Sequence, residues 1–151
     1  MRQRVARTSA APGKTRLANV YRVRRPSTGA GRAGALYLVD LPGYGYARGD
    51  RDEFRGLATD VVQQTDAALL IVDARHPGLD NDREAWRWLS TAAPRWALVA
   101  NKIDKLSRAE RLRATRSLEA VFDHPVAAVS ADTGEGLDEL WKLIDRLANN
   151  R

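Results

Sequence analysis

The stretch LYLVDLPGYGYARG, Leu36–Gly49, decides the fold of this chain. An apolar run ends in Asp40, and Gly43 follows three positions later. A strand that exits into D-x-x-G suits a phosphate sensor. In such a sensor the Asp would hold a metal ion through water, and the glycine N–H would contact a terminal phosphate and lose that contact on hydrolysis. Two fixed residues in four recur often by chance, so an ordinary strand-to-turn exit fits the same letters. The residues on either side decide between the two.

Upstream, ANVYRV (18–23) has strand composition, and RRPSTGAGRAG (24–34) is a turn-rich connection to ALYLVDL (35–41). The pair predicts a hairpin. Downstream, Phe54, Leu57, Ala58, Val61 and Val62 fall on one helical face. AALLIVDA (67–74) is a continuous apolar run, expected to be a strand buried on both faces. Ala85, Trp88, Leu89 and Ala92 mark a second helix, and WALVAN (96–101) a second buried strand. Ser107 with Glu110 reads as a capping box opening a helix to about Phe122. VAAVSA (126–131) is the next strand, and Leu137, Leu140, Trp141, Ile144 and Leu147 stripe the final helix. After the hairpin, strand and helix alternate, which predicts an α/β domain with a mostly parallel sheet.

Composition bounds the rest. The chain has 151 residues, 44% hydrophobic, enough for one domain with a core. It has no cysteine, which excludes disulfides and thiolate metal sites. No apolar run approaches the roughly 20 residues needed to cross a bilayer, and the Arg-rich start lacks a secretory apolar stretch. A cytoplasmic protein with no membrane association is the expectation. The net charge of +6 is uneven: residues 1–51 carry 11 Lys/Arg against 2 Asp/Glu, and residues 52–151 carry 14 against 17. A basic end on a near-neutral body fits a polyanionic partner such as RNA. A solvated surface in an Arg-rich proteome fits it equally.

Ligands on parallel sheets bind beyond the carboxyl ends of the strands. The polar residues placed there are Asp40, Asp73, Asn101 and Ser130. NKID (101–104) suits guanine. The Asp104 carboxylate can accept from the ring N–H and the exocyclic amine, a pattern adenine does not offer. The Asn101 amide can bridge the base and neighbouring loops, and the Lys102 stem can lie over the base plane. In SADTGEG (130–136), the Ala131 N–H can donate to guanine O6. Ser130 is not a nucleophile candidate, and His76 and His124 read as loop residues.

D-x-x-G, N-K-x-D and S-A thus fall in order, each at a strand end. This arrangement resembles the TRAFAC-class GTPase domain. DLPGYGYA (40–47) narrows the resemblance to the EngB/YsxC/YihA family of ribosome-biogenesis GTP-binding proteins. ARTSAAPGKT (6–15), VDARH (72–76), NKIDKLSRAE (101–110) and SADTGEGLDELW (130–141) extend it over nearly the whole chain. Asn101 stands where that family commonly has Thr. The resemblance implies a Ras-like P-loop GTPase three-layer fold forming a single domain over residues 1–151. It also implies a monomer that binds GTP or GDP with Mg²⁺ and acts on the ribosomal particle or rRNA in large-subunit assembly, and thereby in cell division and septation.

The same resemblance supplies the site. The nucleotide would meet Gly13, Lys14, Thr15, Arg16 and Leu17 in a first-switch segment spanning residues 1–17. It would also meet Asp40, Leu41, Pro42 and Gly43, then Asn101, Lys102, Ile103 and Asp104, then Val129, Ser130 and Ala131. Thr15 and Asp40 would ligate the metal. PGKT (12–15) ends like the phosphate loop G-x-x-x-x-G-K-[ST], but Thr8 holds the position of its first glycine and LANVYRV follows instead of a helix. The family's strand, phosphate loop and first helix would precede the segment matching Arg4 onward. The expectation is an N-terminally truncated domain, explained by a start assigned too far downstream or a gene fragment. Residues 1–151 alone would then bind GTP weakly and be poorly stable. A degenerate, nucleotide-incompetent RNA-binding module on the same scaffold is the alternative. Tyr44 occupies the place where many GTPases put a water-orienting Gln, so intrinsic hydrolysis is expected to be slow, with no catalytic base named.

Overall fold

The computed structural model describes residues 18–24, 35–41 and 51–149, except the side chains of residues 24, 35, 51–55 and 57. The chain divides into two compact units, Met1–Ala58 and Thr59–Arg151.

In the first unit, β1 (Asn19–Arg24) and β2 (Ala35–Asp40) pair antiparallel, from Asn19 opposite Asp40 to Arg24 opposite Ala35. This is the expected hairpin, its strands rich in the branched and aromatic residues that suit a pleated surface. Helix α1 (Arg51–Gln63) follows and crosses the boundary between the units. Of its apolar stripe, Ala58 and Val62 are buried.

The second unit holds a three-stranded parallel sheet in the order β3-β4-β5, formed by Ala68–Asp73, Trp96–Asn101 and Val126–Ala128. Helices α2 (Asp80–Ala92), α3 (Arg108–Phe122) and α4 (Leu137–Asn149) alternate with the strands. The central strand β4 is buried on both faces: Ala97, Leu98, Val99 and Ala100 are all in the core. Strand β3 departs from expectation. Leu70 and Val72 are buried, but Ile71 on the opposite face is 54% exposed. A continuous apolar run does not distinguish a central strand from one at the end of its sheet, and β3 stands at the end of these three.

Strand β5 is shorter than 126–131 because the chain turns to build a loop. The Val129 N–H still reaches the Ala100 carbonyl at 2.8 Å, but the Ser130 N–H donates to Glu135 O at 2.8 Å. The capping box forms as read. Ser107 Oγ accepts from the Glu110 N–H at 3.4 Å, and Glu110 Oε2 accepts from the Ser107 N–H at 2.8 Å. The stripe of α4 is half-buried throughout, with no residue fully inside.

At the amino ends of the strands, Trp86 and Trp96 meet edge-to-face with centroids 4.2 Å apart. His124 lies in the turn before β5, as read, yet its ring packs 4.3 Å from Trp96 and 5.2 Å from Trp86. Phe122 closes the cluster at 5.6 Å from Trp86. Edge-to-face aromatic pairs such as Trp86 with Trp96 add to burial alone.

Candidate functional site

The carboxyl ends of β3, β4 and β5 bring together four of the polar positions picked from the sequence: Asp73, Asn101, Asp104 and Ser130. Parallel register sets Asp73 beside Asn101, and the Ala74 N–H donates to Asn101 O at 2.9 Å. Beyond Asn101 the chain must turn sharply. Lys102 does so in the left-handed region, at φ 70°, ψ 30°. A lysine there costs about 1 kcal/mol or more. Asn101 offsets the cost by accepting the Lys102 N–H on its own Oδ1 at 2.7 Å.

That Oδ1 also accepts the Ala131 N–H at 3.0 Å. One side-chain oxygen therefore ties the loop after β4 to the loop after β5. Ile103, buried, opens a short 3₁₀ turn (Ile103–Lys105), and its N–H reaches Val129 O at 3.3 Å.

Asp104 sits at the centre of the arrangement. Its Oδ1 accepts from Ser130 Oγ at 2.6 Å, and its Oδ2 pairs with Lys105 Nζ at 2.8 Å. The Lys105 ammonium, then the Ser130 hydroxyl, hold the carboxyl below its ordinary range, so it is an ionised acceptor at neutral pH. Its side chain is only 9% exposed.

Ser130 is wholly buried and satisfied on both sides, donating to Asp104 and accepting the Thr133 N–H at 3.1 Å. The loop Ser130–Gly136 is closed by Gly134 N–H to Ser130 O at 2.8 Å. It leaves through Gly136 at φ 75°, where a Cβ would fall on the Ala128 carbonyl oxygen.

Sequence reasoning missed the outer clamps on this loop. Lys105 Nζ bridges Asp104 to Asp132 at 3.3 Å. From the first turn of α3, Arg111 Nη1 reaches Glu135 Oε1 at 2.6 Å and its Nε reaches Leu106 O at 3.0 Å. The basic-acidic pairing of these segments was visible in the letters, but their juxtaposition depends on where α3 starts. In the sequence, position alone puts Asp73 at the site. It accepts Lys102 Nζ at 2.9 Å and is chelated by Arg75.

Asp40 and Leu41 lie at the end of β2 in the first unit, with Asp40 exposed. Gly13, Lys14, Thr15, Arg16, Leu17, Pro42, Gly43 and Tyr44 fall outside the described residues. Among the described residues no cluster of three or more His, Asp or Glu side chains could hold a metal. No helix among them is long and apolar enough to cross a membrane.

An ionised carboxylate, an amide and a backbone N–H gather at the ends of two parallel strands, in the Ras-like fold of P-loop GTPases. Residues 11–150 match the Elongation factor Tu GTP binding domain. The fold agrees with a solved structure of a probable GTP-binding protein EngB, at TM-score 0.62 and 18% identity, covering 76% of this chain and 78% of that one. It agrees also with elongation factor SelB from Methanococcus maripaludis in complex with the GTP analogue GppNHp, at TM-score 0.68 and 23% identity, over 88% of this chain and 28% of that one. The probable GTP-binding protein EngB of Chlorobaculum parvum is 39% identical over 152 residues, 95% of this chain and 74% of that protein. Its counterpart in Anaeromyxobacter sp. is 36% identical over 156 residues, 97% of this chain and 72% of that protein. The chain belongs to the EngB family.

Proposed function

We propose that this protein binds guanine nucleotides and that Asn101, Lys102, Asp104, Ser130 and Ala131 read the base. The observation that carries the reading is the double anchoring of Asp104. Held by Ser130 and Lys105, its carboxylate is fixed, ionised and largely buried. It can accept the two N–H groups that guanine presents side by side. The Ala131 N–H, shared with Asn101, is the donor for the guanine carbonyl. Adenine offers neither pattern, and each unpaired buried group would cost about 1–3 kcal/mol. The EngB relatives and the matched domain support the same ligand.

Mg²⁺ fits the residues assigned to it. The exposed carboxylate of Asp40 and the hydroxyl of Thr15 are hard oxygen donors, the kind this ion takes beside phosphate. Bound there, the ion would neutralise phosphate charge; Asp40 and Thr15 would hold it. Hydrolysis of GTP is slow, since Tyr44 replaces a water-orienting amide. The cellular role is assembly of the large ribosomal subunit, and through it normal division and septation. The protein works as a cytoplasmic monomer, with the basic first third facing rRNA. Family membership and the charge asymmetry support this role.

The test is discrimination between bases. Titration with guanosine should shift the amide resonances of Lys102, Ala131 and Thr133, and adenosine should not. Equal responses to both nucleosides would remove these loops from base recognition.

A further inference from the structure

We propose that Asp73 is a positioning residue of the base site, holding the Lys102 ammonium so that the lysine stem lies across the plane of the bound base. The inference rests on the reading of the Asn101–Asp104 loop given above.

The lysine is pinned at both ends. Its N–H is held by Asn101 Oδ1 at 2.7 Å, its backbone is locked in the left-handed region, and its Nζ lies 2.9 Å from Asp73 Oδ2. An unpinned lysine samples many rotamers, and ordering it on binding costs about 0.5–1.5 kcal/mol. Held by Asp73, the stem is ordered beforehand.

The carboxylate is itself fixed. Arg75 donates its Nε to Asp73 Oδ1 at 2.9 Å and its Nη2 to Oδ2 at 2.6 Å, and its backbone N–H reaches Oδ1 at 3.0 Å. Foremost among these, the guanidinium keeps Asp73 far below the ordinary carboxylate range, with Lys102 adding to it against the cost of burial. The acceptor for Lys102 is therefore stiff and charged at any pH where the protein functions. Oδ2 is shared by both cations, so Lys102 is tethered rather than locked. Strand register makes the reach possible: Asp73 and Asn101 are direct partners, so Lys102 begins one residue beyond the carboxylate that receives it.

The pair is partly exposed, with Asp73 at 21% and Lys102 at 49%, so a modest effect is expected. Guanosine is the probe, and its dissociation constant is read from the amide shifts of Ala131 and Thr133. Asp73→Asn should weaken binding about fivefold. In a Lys102→Met background the same substitution should change nothing further, because its action runs through the lysine. Asp73→Glu keeps the charge one methylene further out and should bind with intermediate affinity, which also covers the case in which Asp73→Asn fails to fold.

A merely structural ion pair would weaken binding equally in both backgrounds, and that result overturns the proposal. So does an unchanged dissociation constant in Asp73→Asn while Asp104→Asn abolishes binding. If Asp104→Asn is also without effect, the base site itself has failed, and the positioning role with it.

Discussion

Ser130 donates its hydroxyl to Asp104 Oδ1 at 2.6 Å from a position with no solvent exposure. The bond joins the loop after β4 to the loop after β5 and orients the carboxylate assigned to the base. Ser130→Ala removes it and leaves the Thr133 N–H without its acceptor. Stability should fall by about 1–3 kcal/mol, read by chemical denaturation. Guanosine binding should weaken as well, because Asp104 then keeps only Lys105. Full binding with reduced stability would show that Lys105 alone orients Asp104.

Gly136 leaves the same loop at φ 75°, against the Ala128 carbonyl oxygen and 3.2 Å from Val129 Cα. Both contacts are backbone, so neither neighbour gives way cheaply. Gly136→Ala should destabilise the protein by roughly 3 kcal/mol through forbidden dihedrals and displacement of the strand end. Gly56, which has open space around its Cβ position, is the control. Gly56→Ala lies inside α1 and should stabilise by up to about 1 kcal/mol. Equal melting temperatures for the two variants would refute the close approach at Gly136.

Burial between the tryptophans pushes the His124 imidazole below its ordinary value, with Asp123 opposing weakly. The unfolded chain, with an imidazole pKa near 6.5, then takes up a proton before the folded chain does. The stability this group contributes is complete above about pH 6.5 and is lost as pH falls through the lower folded value. Thermal melts should therefore begin to drop as pH falls below about 6.5. His124→Phe should flatten the decline in that window, and an unchanged slope would assign it elsewhere.

Arg22 is exposed on β1, and Arg24 and Arg25 follow it closely in the sequence. If the basic third faces rRNA, association with ribosomal particles should weaken steeply with salt. Replacing the three arginines with Gln should flatten the log–log slope by about 2. A salt-independent association would indicate a protein contact instead.

Local rules carried much of the architecture. WALVAN reads as a buried strand and is one at Ala97–Ala100, and Ser107 with Glu110 forms its cap because both partners lie within one helical turn. Pairings between segments were harder to read. The reach of Arg111 to Glu135 depends on the phase of α3, and the Asp73–Lys102 pair depends on strand register. Neither is set by neighbours in the chain. The exposure of Ile71 was likewise hidden, since its run of apolar neighbours looks the same in a central strand and in one at the end of a sheet.

Exchanging the Asp104 carboxylate for an amide probes its proposed pairing with guanine. Asp104→Asn is nearly isosteric but replaces one acceptor with a donor. Xanthosine presents a carbonyl where guanosine presents its amine, so the pairing pattern should invert. Guanosine and xanthosine titrations of both proteins, followed at the Ala131 and Thr133 amides, read the exchange without relying on phosphate contacts. The wild-type protein should respond to guanosine and not xanthosine, and Asp104→Asn should reverse the preference. Undiminished guanosine binding by the folded variant would contradict that pairing.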